Sequence, residues 1–189
     1  MKTTELLSHL KGQTETILQT VETKFNPLPD AQLNFKPAAD KWSILECFEH
    51  LNLYSQYYLT ALETAVAKAS PSTAQEMKYT WIGKKSIAMM HPSNTKKQKT
   101  FKKMIPAKST LTRDVLATFL NDQQRILRLI AKSEKLNTTK ALVPVEFFKL
   151  LKMNIAETLE FVIVHEQRHL AQAENVFVSK ASSQPILAV

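Results

Sequence analysis

NIAETLEFVIVHEQRHLAQAENVFV, residues 154–178, is the stretch on which the fold turns. Asn154 and Glu157 form an N-cap and N3 pair, each side chain able to satisfy the other's backbone N–H, and a strongly apolar helix is predicted from Ile155 to about Val178. Phe161, Val162, His165, His169, Gln172 and Val176 fall on its apolar stripe, so two imidazoles and an amide stand where hydrocarbon is expected. Outward from this segment, apolar residues at helical spacing recur from Thr3 to about Lys24 and from near Thr112 to about Lys132. Between those two, Asn26-Pro27-Leu28-Pro29 and Lys36-Pro37 break the chain. Trp42-Ser43-Ile44-Leu45-Glu46 then restarts it, with Ser43 and Glu46 as a capping box and Trp42 as a hydrophobic staple, for a helix running to about Ala69. Ser133 to about Pro144 is a second break, Gly83 to Met90 has local helical character, and no strand-like alternation or internal repeat occurs. The expected fold is all-α: a four-helix bundle with a long crossover connection between helices 2 and 3, residues 1–180 forming one domain and 181–189 a loose C-terminal tail.

Composition narrows the chemistry. The 189 residues include only two glycines, which argues against glycine-rich phosphate loops and tight hairpins. The one cysteine, Cys47, excludes a disulfide framework and any multi-cysteine zinc site. No apolar run has the length of a membrane span and no signal-peptide core is present, so a cytoplasmic location without membrane association is expected. The net charge of +8 is localised: residues 77–113 hold 10 of the 25 Lys and Arg and no Asp or Glu, leaving 15 basic and 17 acidic residues elsewhere. Such a stretch is either a solvated loop or a grip for an anionic partner; with Phe101 as the one aromatic residue between Lys96 and Lys103, a nucleic-acid interface is not expected.

Histidine is the metal ligand left to this chain. His165 and His169 are four apart, hence about 40° apart around a helix and about 6 Å along it, and both imidazoles can reach one ion. His165-Glu166-Gln167-Arg168-His169 also fits the H-E-x-x-H helix of zinc proteases. That reading needs Glu166 as general base, a downstream third ligand and a strand edge for an extended peptide, and neither ligand nor strand is evident; Glu166 is taken as solvated or as a support for the ligands. The third ligand then comes from a facing helix, where His50 would complete a three-histidine site with open positions, the pattern of a catalytic centre. Cys47, three residues before His50, is either a fourth ligand or a small buried hydrophobe.

The strings Trp42 to Leu51 (Trp-Ser-Ile-x-Glu-x-x-x-His-Leu) and His165 to Gln172 (His-x-x-x-His, Arg-His-x-x-Gln) together resemble the DinB/YfiT-like metalloenzyme family, over most of the chain. The resemblance implies a DinB-like four-helix bundle holding one divalent metal ion, often nickel or zinc, on His50, His165 and His169. It also implies kinship with thiol-dependent transferases and isomerases whose substrates include low-molecular-weight thiols, and with metal-dependent hydrolases. The lysine-rich stretch departs from shorter members and is not explained by the resemblance.

The expected function is therefore metal-dependent activation of water or a thiol, as hydrolase or S-transferase, on a small-molecule substrate. Gln172 and Tyr54 are the candidate catalytic side chains: Gln172 to orient a ligand or bound water, or else a surface amide; Tyr54, like Tyr57 one turn further on, as a phenol beside the metal, or else core. Arg168 is expected to pair with a substrate anion or a surface carboxylate. The rival reading is a non-catalytic metal-containing binding module whose 77–113 segment holds an anionic partner. A homodimer through an exposed bundle face is also entertained.

Overall fold

The computed structural model describes residues 1–72, 76–96 and 98–182. These residues are mostly helical, with one small sheet among them. The helices are α1 (Thr3–Thr20, continued by a π-turn at Val21–Phe25), α2 (Asp30–Leu33), α3 (Ile44–Lys68), α4 (Trp81–Met90), α5 (Asp114–Ser133) and α6 (Ile155–Ser182). A 3-10 turn spans Lys102–Met104, and strands β1 (Leu142–Val145) and β2 (Phe148–Asn154) precede α6. The helix α6 extends past Val178 to Ser182, so the expected tail falls mainly on residues 183–189, outside the described residues.

Both capping boxes form as the sequence suggests. Glu46 donates its backbone N–H to Ser43 Oγ (3.2 Å) and its carboxylate accepts from Ser43 N (2.8 Å). Glu157 N donates to Asn154 Oδ1 (2.9 Å) and Glu157 Oε2 accepts from Asn154 N (2.8 Å). These caps fix where α3 and α6 begin, and hence the rotational phase in which their histidines face one another. The core lies between the long helices: α3 packs against α5 and α6, and α1 against the same two. Leu7, Leu10, Ile17, Phe48, Leu59, Phe119, Ile126, Leu159 and Ile163 are buried in it. This apolar burial is the main force holding the helices together.

The mostly helical chain agrees with the all-α expectation, and the hairpin corrects the reading that no strand occurs. In the antiparallel hairpin Leu142 pairs with Asn154 and Val143 with Met153; a register shift after Pro144 then sets Val145 against Phe148, across a turn at Glu146-Phe147. Its one fully buried apolar cross-strand pair is Val143–Met153, both 0% exposed, whereas Phe148 and Leu150 stand in solvent at 55% and 97%. A strand with one buried cross-strand pair has no alternation to read, and Pro144 argued further against it.

The long connection between α3 and α5 is not a loose excursion. Its helix α4 packs on α6 and on β2. Thr80 caps α4, with Gly83 N donating to Thr80 Oγ1 at 3.0 Å, and Thr80 in turn donates its backbone N–H and its hydroxyl to the Glu157 carboxylate. One buried carboxylate thus caps two helices. Gly83 is required at this approach, because a Cβ there would overlap the Glu157 carboxylate.

Candidate metal centre

His50 on α3 and His165 and His169 on α6 meet between the two helices. One ring nitrogen of each lies within 4.8 Å of the other two, and His50 Nε2 stands 3.2 Å from His165 Nε2. Two nitrogens about 2.05 Å from a tetrahedral ion would be about 3.3 Å apart, so this pair matches the spacing of shared ligation. His50 and His165 are buried and His169 half-buried.

The protonation of the cluster follows from burial and from two hydrogen bonds. Burial lowers His50 to about 4 against an opposing hydrogen bond to Met104. Burial lowers His169 to about 3, with His50 adding to the effect and Gln172 opposing it. His165 is held well below its ordinary value by burial first, then by His169, His50 and Arg168. All three imidazoles are therefore neutral at pH 7 and keep a lone pair. His50 Nδ1–H donates to the Met104 carbonyl (2.6 Å) and His169 Nδ1–H to Gln172 Oε1 (3.0 Å), which assigns the lone pair of each ring to Nε2. Uncharged, oriented imidazoles whose lone pairs converge in a desolvated pocket are a donor set that fits a divalent ion.

Around the histidines opens a cavity of about 750 Å³. Trp42 does more than begin α3: its ring lies 4.9 Å from that of His50 and 5.8 Å from that of His169. Tyr54 enters the cavity, its ring 5.0 Å from His50 and 4.7 Å from His165. Burial first and the charge of Glu146 second push its phenol up to about 12, so it keeps its proton at neutral pH. Tyr57 is outside the cavity and donates its hydroxyl to the Pro144 carbonyl (3.2 Å). Cys47 is fully buried in the core and does not join the three-histidine group, which removes the fourth-ligand alternative.

Two further expectations need correction. Arg168 does not meet a surface carboxylate: its guanidinium donates to the carbonyls of Asn94 (2.7 Å), Lys96 (3.0 Å) and His91 (3.4 Å), pinning the lysine-rich segment against α6. Glu166 is not solvated but 1% exposed, and faces α5, where Oε1 accepts from Gln123 Nε2 (2.9 Å). A strand does border the site after all, since Phe148 and Leu151 line the cavity, but Glu166 does not, and the zinc-protease arrangement fails for want of its base. Burial holds the Glu166 carboxyl up at about 8 despite the Gln123 hydrogen bond. Its folded pKa thus exceeds the unfolded value of about 4.3, so the stabilising contribution is complete below pH 4.3 and lost as pH rises through 8. Glu166→Gln, always neutral, is expected to gain about 3–5 kcal/mol on the wild type between pH 4 and 9. Urea midpoints of the metal-free proteins across that range test it; parallel curves would refute it.

Sequence reasoning missed Met104, whose contribution is a backbone carbonyl that carries no side-chain signature. It also missed the cover of the site, to which α4, Phe101 and the hairpin contribute, the Phe101 and Phe147 rings stacking at 3.9 Å. Among the described residues no helix is long and apolar enough to cross a membrane. In comparison with known proteins, no curated protein and no solved structure matches the chain. The family model of the DinB superfamily matches residues 13–173, a span that contains both capping boxes and all three histidines. The chain belongs to the DinB superfamily.

Proposed function

We propose that the protein is a metal-dependent enzyme, its four long helices forming a four-helix bundle around one divalent ion, nickel or zinc, held by His50, His165 and His169. The observation that carries this reading is the convergence of three neutral imidazoles, two with tautomers set by Met104 and Gln172, at the wall of an open cavity. A bound divalent ion would supply a Lewis acid that makes water or a thiol nucleophilic near neutral pH, suiting a hydrolase or a thiol S-transferase. The residues contribute the rest. Gln172 keeps the His169 lone pair on Nε2, and is a positioning residue rather than a contact to substrate. Tyr54 retains its phenolic proton beside His50 and His165, and serves as a hydrogen-bond donor to an oxygen or sulfur of the substrate. Trp42 and Phe161 exclude water from the imidazoles. A small-molecule substrate, with a low-molecular-weight thiol as one reactant, fits a cavity of about 750 Å³.

The test begins with metal content by mass spectrometry of protein purified without an affinity tag. Near-stoichiometric divalent metal and a metal-dependent thiol-conjugating or hydrolytic activity are expected, and a chain that takes up no metal under replete conditions would sink the proposal. Gln172→Ala is expected to weaken metal binding about 10–100-fold while leaving the fold intact. Salt-dependent oligonucleotide binding that survives His165→Ala, with no metal-dependent activity, would favour the binding-module reading instead.

A further inference from the structure

Ten large apolar side chains stand exposed among the described residues, and five of them, Trp81, Met89, Phe101, Phe148 and Leu151, line the same cavity as the histidines. Exposed apolar surface gathered in one place marks a binding site more often than an accident of composition. The charge of the cavity is also one-sided. Lys41, Lys85, Lys99 and Arg168 line it against a single acid, Asp40, which lies 3.8 Å from Lys41. Lys85, Lys99 and Arg168 have no acidic partner among the described residues. Lys85 Nζ instead sits 4.9 Å from the centre of the Trp81 ring, which joins the cationic and aromatic parts of the wall.

We propose that the cavity binds an organic anion with a large apolar body, an aryl or long-acyl carboxylate, sulfonate or phosphate. Its charged group is held by Lys85 and Lys99, with Arg168, already bonded to three carbonyls, adding positive charge to the wall, and its apolar part lies on Trp81, Phe101 and Phe148. The proposal names a substrate class for the cavity read above as the reaction site, and so rests on that reading. It also gives the lysine-rich segment a task, since Lys85, Lys99, Trp81 and Phe101 all come from it. The three cations line one cavity whose apolar walls lower the local dielectric, so they attract an anion more strongly than scattered surface lysines do.

The experiment compares two fluorescent probes with one aromatic framework, 1-anilinonaphthalene-8-sulfonate and the uncharged N-phenyl-1-naphthylamine, titrated into the full chain. The sulfonate is expected to bind about tenfold more tightly at low salt, with the gap narrowing as salt rises. Lys85→Glu/Lys99→Glu is expected to abolish the gap while leaving the uncharged probe unchanged, and Trp81→Ser/Phe148→Ser to weaken both probes. Equal affinities in the wild type, or a gap that survives the charge reversal, would overturn the proposal. A metal-free His165→Ala variant separates this inference from the metalloenzyme reading. If the gap persists there, the lysines hold the anion whatever becomes of the metal; if it vanishes, a metal ion held the sulfonate and the proposal falls.

Discussion

His165→Ala is expected to lose bound metal and activity together, with metal affinity falling by more than about 100-fold, beyond what loss of a supporting hydrogen bond costs. His165 Nε2 stands 3.2 Å from His50 Nε2, so its removal leaves His50 and His169 as a two-imidazole remnant. A second consequence is readable without any substrate. An ion that binds only the folded state adds about 2.7 kcal/mol of stability at a hundred times its dissociation constant. The wild type is therefore expected to gain several degrees in Tm on metal addition, and His165→Ala none. Because His165 is buried, circular dichroism and the metal-free Tm of the variant must accompany the measurement. His50→Ala, on the other helix, is expected to give the same result. A variant that folds, binds metal as tightly as the wild type and turns over would remove His165 from the centre.

Glu157→Ala carries the largest expected loss of stability. The side chain is fully buried and accepts from Asn154 N, Thr80 N and Thr80 Oγ1, so truncation strips the cap from α6 and the support from the start of α4 at once. The lost cap at Asn154 N costs about 1 kcal/mol and each of the two half-buried Thr80 donors about 1–2 kcal/mol, for an expected total of about 3–5 kcal/mol. Gly83→Ala attacks the same node from the other side, since its Cβ would overlap a carboxylate that its own donors hold in place. About 1–3 kcal/mol is expected there. The two changes should not add: with Glu157 truncated the overlap disappears, and the double variant is expected to be no less stable than Glu157→Ala alone. Urea denaturation of the three variants measures this, and strict additivity would show that α4 does not seat against Glu157.

The parts of this molecule that could be read in advance are those in which side chains announce local geometry. Ser43 with Glu46 and Asn154 with Glu157 each mark a helix start, and the i,i+4 spacing of His165 and His169 marks a shared face; all three are short-range relations that chain connectivity enforces. The hairpin was illegible because only one cross-strand apolar pair, Val143 with Met153, is fully buried, and the exposure of Phe148 and Leu150 answers to a cavity and to solvent rather than to a sheet face. Glu166 misled for a related reason. Its motif is that of a solvent-facing general base, yet the helix turns it toward Gln123 of α5, and which helix lies on that side is a long-range fact. The lysine-rich stretch gave composition but no place, because its attachment to α6 runs through main-chain carbonyls accepting from Arg168.

Those carbonyls have a consequence for how the protein can change. The stretch from His91 to Met104 is fastened by the backbone oxygens of His91, Asn94 and Lys96 to Arg168 and by that of Met104 to His50. Every residue type presents such an oxygen, so the fastening tolerates substitution of almost any side chain along the stretch that does not alter the backbone path. The anchoring groups belong to α3 and α6; the stretch that is anchored supplies Lys99 and Phe101 to the cavity wall. Attachment and surface chemistry are thereby written in separate parts of the chain, and this stretch can be re-lettered, in a laboratory library or by drift, to change the cavity wall while the same three histidines stay in register beneath it.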